Sequence, residues 1–82
     1  MEKSIHTREF AIAVRLLREM RERAGMTQVE LAEALGKTQT FISKVERGET
    51  RLDIIQLRTF LASVHVSLAE YGRRLDREIA KR

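Results

Sequence analysis

TQVELAEALGKTQTFISKVERG, residues Thr27 to Gly48, reads as two short helices joined by a tight turn at Gly36. Thr27 followed by Glu30 is a capping box: the hydroxyl takes the Glu30 amide, and the Glu30 carboxylate reaches back to the Thr27 amide. Leu31, Ala32 and Leu35 then fall on one helix face. Gly36 follows the last of them, at a position where a left-handed backbone is cheap only for glycine. Thr38 caps the second helix. Within it, Ile42, Val45 and Glu46 share one face, and Gln39, Thr40, Ser43, Lys44 and Arg47 share the other.

Isolated helices shorter than about 12–15 residues are marginal in water, so this pair must lean on each other and on their neighbours. Ala32 is small enough to let the second helix cross closely over the first, with Ile42 and Val45 facing Leu31 and Leu35. The product is a rigid unit with one polar, partly cationic helix face turned outward. A helix of that kind fits the major groove of B-DNA, where base edges and phosphates call for hydrogen-bonding side chains and a few cations.

Outward from the pair, residues 1–6 read as a loose arm, in which Lys3 has the charge to touch a phosphate and a frayed terminus is the plainer reading. Thr7 or Ser4 caps a first helix running to Ala24, with Phe10, Ala13, Val14, Leu17, Met20 and Ala24 as its buried stripe. Arg21 sits at the edge of that stripe and Glu46 within the apolar face of its own helix. A charge in either place is costly unless paired. Asp53 caps a fourth helix, with Ile54, Leu57, Phe60, Leu61 and Val64 facing inward. Ser67 and Glu70 form a second capping box that opens a fifth helix. There Leu68, Tyr71, Leu75 and Ile79 recur at helical spacing, and Gly72 is a weak point that permits close helix approach. Leu75 and Ile79 extend the stripe beyond what a minimal core needs. Contact with a second copy is the expectation for them; the alternative is that they fold back on the first helix.

The chain has 82 residues, enough for one small all-α domain. Its boundaries are drawn as an arm at 1–6, the domain at 7–76 and a helical extension at 77–82. There is no proline to break a helix and no cysteine for a disulfide or thiolate site. His6 and His65 lack neighbours at ligand spacing, so no metal or other cofactor is expected. No Ser-His-Asp set or phosphate-binding glycine loop appears, so no catalytic residue is assigned. Apolar runs are too short to span a bilayer and no signal-peptide pattern appears, so a soluble cytoplasmic protein is expected. The formal net charge of +4 favours a polyanionic partner but is also compatible with simple solubility.

The chain from Leu17 to about Leu75 resembles the XRE family, the phage-repressor and Cro-like helix-turn-helix domains. The resemblance is carried by Arg21, the run Gly25-Met26-Thr27-Gln28, Leu31-Ala32, Leu35-Gly36, Thr38-Gln39, Ile42-Ser43, Glu46-Arg47-Gly48 and Val66-Ser67-Leu68. Two positions depart from it. Lys37 stands where an apolar residue is common, and His65 where a helix-ending glycine is usual; histidine tolerates a left-handed backbone better than most residues. The resemblance implies a compact five-helix, lambda-repressor-like fold with the helix-turn-helix in helices 2 and 3. It also implies a partly buried Arg21–Glu46 bridge, a phosphate clamp at Gln28 and a DNA-backbone contact at Arg51.

The partner expected from these readings is double-stranded DNA. Gln39, Thr40, Ser43 and Lys44 are the candidate base readers, with Gln39 also braced by Gln28. Lys37, Thr38, Arg47 and Arg51 complete the DNA-facing set, Lys37 and Arg47 as phosphate contacts. A homodimer reading an inverted repeat as a small repressor is the expected role. The alternative is a DNA-binding antitoxin whose helical tail holds a toxin.

Overall fold

A computed structural model describes residues 7–81, and within them the chain forms five α-helices: α1 (Arg8–Arg23), α2 (Gln28–Leu35), α3 (Gln39–Glu46), α4 (Ile54–Ser63) and α5 (Leu68–Ala80). The expected arm at 1–6, with Lys3, Ser4 and His6, lies outside the described residues. Each helix starts where a side chain takes up an otherwise orphaned amide. Thr7 accepts from the Phe10 amide, Thr27 from Glu30, Thr38 from Phe41, Asp53 from Gln56 and Ser67 from Glu70. The reciprocal box closes at Thr27–Glu30 as anticipated, and also at Asp53–Gln56. At Ser67 the serine half of the box is made, without the return bond from Glu70.

Gly36 ends α2 in the left-handed region at φ 66°, and His65 takes the same conformation at φ 65° after α4. The departure at His65 therefore leaves the turn intact. Its amide donates to the Ala62 carbonyl, which satisfies part of the helix end. Gly72, by contrast, makes no close helix approach: a Cβ there would meet nothing within 4 Å.

The core is Leu16, Leu17, Met20, Leu31, Ala32, Ile42, Val45, Phe60, Leu61, Val64 and Tyr71, with Ile12 at its margin. Helix α1 runs between α3 and α5, and α2 lies on α3 and α4. That double contact moves the buried arc of α1 away from the expected stripe. Ile12 and Leu16 are buried, whereas Phe10, Ala13 and Val14 are only half-buried. Ile54 is a second correction, because it is 60% exposed rather than inward-facing. The inward row of α4 is Leu57, Phe60, Leu61 and Val64. One turn earlier that row falls on the cap Asp53, and Leu52 of the preceding loop packs on the core instead.

Helix α5 closes over α1. Tyr71 donates its hydroxyl to the Ala13 carbonyl at 2.9 Å, Arg15 bonds Glu78, and Arg8 reaches the carbonyls of Ile79 and Lys81. Leu75 and Ile79 are half-buried and packed against the core of their own chain. That packing covers part of each side chain within the monomer and leaves the remainder facing out.

Burial pushes the Tyr71 hydroxyl up to about 12 from an ordinary 10.0. The folded state thus holds its proton where the unfolded chain has released it, so stability falls as pH rises from about 10 through about 12. Tyr71→Phe is expected to flatten that part of the stability–pH curve, measured by urea denaturation across the window, while costing roughly 1 kcal/mol at neutral pH for the lost hydrogen bond.

Candidate nucleic-acid interface

Helix α3 has eight residues, and its two faces have opposite chemistry. Ile42 and Val45 are buried, and Phe41 is half-buried. Gln39, Thr40, Lys44 and Arg47 are exposed and Ser43 is half-buried, so the polar face stands clear of the core. Thr40 and Lys44 make no side-chain hydrogen bond or ion pair with a described residue. Thr38 uses a lone pair of its hydroxyl to cap the helix, which leaves its own hydrogen to donate.

Arg21 and Glu46 meet as a bidentate pair, Nε to Oε2 at 2.6 Å and Nη2 to Oε1 at 3.0 Å. Their side chains are 9% and 3% exposed. Arg21 also donates through Nη1 to the Met26 carbonyl at 2.7 Å, so one guanidinium joins α1, the α1–α2 turn and α3. Hydrogen bonding to Glu46 raises the affinity of Arg21 for its proton, against the opposing cost of burial. The pair continues outward: Gln28 Nε2 donates to Glu46 Oε1 at 2.9 Å, and Gln39 Nε2 donates to Gln28 Oε1 at 2.7 Å. The brace expected between Gln28 and Gln39 is present, and its extension to Glu46 is something the sequence did not disclose. Gln28 remains half-buried at the amino terminus of α2, where the helix end favours an anion.

The cations are less free than their count suggests. Arg47 forms a two-pronged pair with Glu49, at 2.8 and 3.1 Å, and also donates to the Ser43 hydroxyl. That pairing holds the Glu49 carboxylate below its ordinary range, helped by nearby Lys44, and raises Arg47. Lys37 lies over the Phe41 ring with Nζ 5.4 Å from its centroid, and Arg51 lies over Phe10 at 5.1 Å. Both are exposed, and a cation over a ring face keeps its charge directed without neutralising it. The structure thus gathers Gln28, Thr38, Gln39, Thr40, Ser43, Lys44 and Arg47 on or beside α3, and it sets Arg51 against the start of α1. Glu49 is the partner that sequence reasoning missed; its signal was an opposite charge two residues from Arg47.

Among the described residues no group of three His, Asp or Glu side chains is placed to hold a metal ion, and no helix is long and apolar enough to cross a membrane.

A helix-turn-helix family model, HTH_3, matches residues 17–71 of this chain. Among solved structures, an XRE-family like protein from Pseudomonas syringae pv. tomato str. DC3000 is 36% identical, with 92% of each chain covered and a TM-score of 0.82. The restriction-modification controller protein C.Esp1396I, solved as a tetramer in complex with its natural 35 base-pair operator, is 28% identical over 93% of this chain and 100% of that one, with a TM-score of 0.82. The clp gene regulator ClgR from C. glutamicum shares the fold at 24% identity, a TM-score of 0.79, and coverage of 95% and 100%. No curated protein matched.

Because the Arg21–Glu46 pair is buried, removing one partner strands a charge. Glu46→Ala is expected to cost about 3–5 kcal/mol. Glu19→Ala, which breaks the exposed Arg15–Glu19 pair, should cost less than about 1 kcal/mol. Thermal melts of both variants would separate the two, and equal midpoints would contradict the burial assigned to the pair.

Proposed function

This chain belongs to the XRE family of helix-turn-helix proteins, and from that premise we propose that it is a sequence-specific binder of double-stranded DNA acting as a dimeric transcriptional repressor. The observation that carries the proposal is α3, a short helix whose inner face is anchored and whose outer face offers Gln39, Thr40 and Lys44. Laid in the major groove, Gln39 pairs with adenine N6 and N7, Thr40 meets a base edge or a thymine methyl, and Lys44 reaches guanine or a phosphate. Gln28 and the amino terminus of α2 hold a backbone phosphate. Lys37, Thr38, Arg47 and Arg51 add backbone contacts, with Arg47 exchanging Glu49 for phosphate on binding. The neighbour C.Esp1396I, seen on its own operator, supports the DNA partner.

A monomer reads few base pairs, and two copies read an inverted repeat with half-sites about one helical turn apart. The surface we assign to the second copy is the outer side of α4, because Leu75 and Ile79 are already packed against their own chain. Ile54 and Ile55 are 60% and 67% exposed. Arg58 is the only charged residue among the ten of α4, so two adjacent exposed isoleucines stand on a weakly solvated face. Ile55 lines a mainly apolar groove with Leu35, Phe41, Leu52 and Phe60, whose walls also include Lys37, Gln56 and Thr59. A protruding apolar pair next to an apolar groove is what a two-fold, self-matching contact requires. Binding the second copy there places it on the flank of α3, where a neighbouring half-site needs it.

Selection from random duplex DNA is expected to return a pseudo-palindromic site, bound with affinity that falls steeply as salt rises. Lys37→Ala should weaken all duplexes alike, whereas Gln39→Ala should relax the choice at one position per half-site. Unselective or salt-insensitive binding would refute the role. Sedimentation of the Ile54→Ser/Ile55→Ser variant should show a folded monomer where the wild type is a dimer; a variant that still dimerises would move the interface elsewhere.

A further inference from the structure

We propose that Glu46 is a positioning residue for base readout. Acting through Gln28, it fixes which way round the Gln39 amide faces the DNA, so that α3 is matched to adenine and mismatched to guanine. The inference rests on the DNA-reading role above and deepens it.

A glutamine amide has an acceptor oxygen and a donor nitrogen of nearly equal shape, and turning it over exchanges the two. In a neutral chain of amides both directions are available. Here one end of the chain is a carboxylate, which carries no hydrogen and only accepts. The Glu46 side chain is 3% exposed, and two guanidinium nitrogens of Arg21 hold its oxygens in place. Gln28 must therefore present Nε2 to Glu46 Oε1, as it does at 2.9 Å. Its Oε1 is then the atom left for Gln39, which must answer with Nε2, as it does at 2.7 Å. Each hydrogen bond in the row has its direction set by the one before it.

The consequence falls on the exposed end. Gln39 has spent one N–H on Gln28, and it keeps a second N–H and the whole of Oε1, which accepts no hydrogen bond from a described residue. Adenine presents an acceptor at N7 and a donor at N6 in the major groove, which fits that remaining pair. Guanine presents acceptors at both N7 and O6, so Oε1 would face O6 without a hydrogen between them. If the row ran the other way, Gln39 would accept from Gln28 and offer both hydrogens of Nε2, which suits guanine. The buried carboxylate selects between the two patterns although it touches no base.

The test uses the full chain and the site it selects. Gln28→Met cuts the row in the middle. Arg21→Met/Glu46→Met removes the anchor while leaving both glutamines, and it replaces a buried ion pair with apolar side chains of similar volume, an exchange that folded proteins accept. For each protein, binding is compared between duplexes carrying adenine or guanine at the position that Gln39→Ala relaxes, at fixed salt. The wild type is expected to prefer adenine by roughly tenfold or more. Both variants should narrow that ratio to within about threefold. The double variant should leave binding to non-specific duplex unchanged, whereas Gln28→Met, which also loses a phosphate contact, should weaken all duplexes by a common factor besides narrowing the ratio, with its fold checked by thermal melt. A double variant that keeps the wild-type ratio overturns the role of Glu46, and a Gln28→Met variant that keeps it overturns the relay. A wild type without sequence preference overturns the DNA-reading role itself, which separates that failure from the failure of the inference.

Discussion

The Arg21–Glu46 pair ties α3 to α1 and to the turn that opens α2. Helices of eight residues hold little intrinsic stability, and their burial alone would allow α3 to roll about its axis. A bidentate pair removes that freedom, because two bonds of 2.6 and 3.0 Å define both a distance and a plane. Taking both charges out of water costs several kcal/mol per ion before they attract one another. The Met26 carbonyl and the Gln28 amide offset part of that cost by satisfying the atoms the pair leaves over. The net gain in stability is modest by this reasoning, and the gain in definition is large. The polar face of α3 is aimed by a contact on its far side.

The surface electrostatics follow a different rule. The formal charge of +4 suggests a generally cationic molecule, yet several arginines are engaged locally. Arg15 bonds both Glu19 and Glu78, Arg18 bonds Glu22, and Arg47 bonds Glu49. Such exposed pairs are worth little energy and exchange readily. A phosphate can therefore replace Glu49 at Arg47 cheaply, while Lys37 and Arg51 rest on aromatic rings with their charge intact. The proposed interface is a sparse set of oriented cations around a neutral hydrogen-bonding strip, and this suits discrimination among sequences better than a dense basic patch would.

Apolar surface is distributed unevenly. Helix α5 turns its stripe onto α1 and bridges it with Tyr71, Arg15 and Arg8, so the end of the chain serves the fold. Helix α4 buries Phe60 and Leu61 within the monomer and leaves Ile54 and Ile55 exposed at its start. The contrast arises from charge. The outer side of α5 carries arginines and acids that solvate it, whereas the outer side of α4 has Arg58 alone.

The sequence by itself determined the helices and their order, because caps, turn residues and apolar spacing act within a few residues of one another. Thr27, Thr38 and Asp53 cap as read, Thr7 caps as one of the two candidates, Ser67 caps without the return bond, and Gly36 and His65 turn as read. The resemblance of Arg21 and Glu46 to a known pattern also anticipated their pairing, 25 residues apart. Only the tertiary structure decided which arc of α1 is buried, that Ile54 points outward, that Leu75 and Ile79 pack in part on their own chain, and that the Gln28–Gln39 brace is rooted in Glu46. Those outcomes depend on which helices meet and at what angle. Periodicity reports that a face is apolar, and packing alone settles what lies against it.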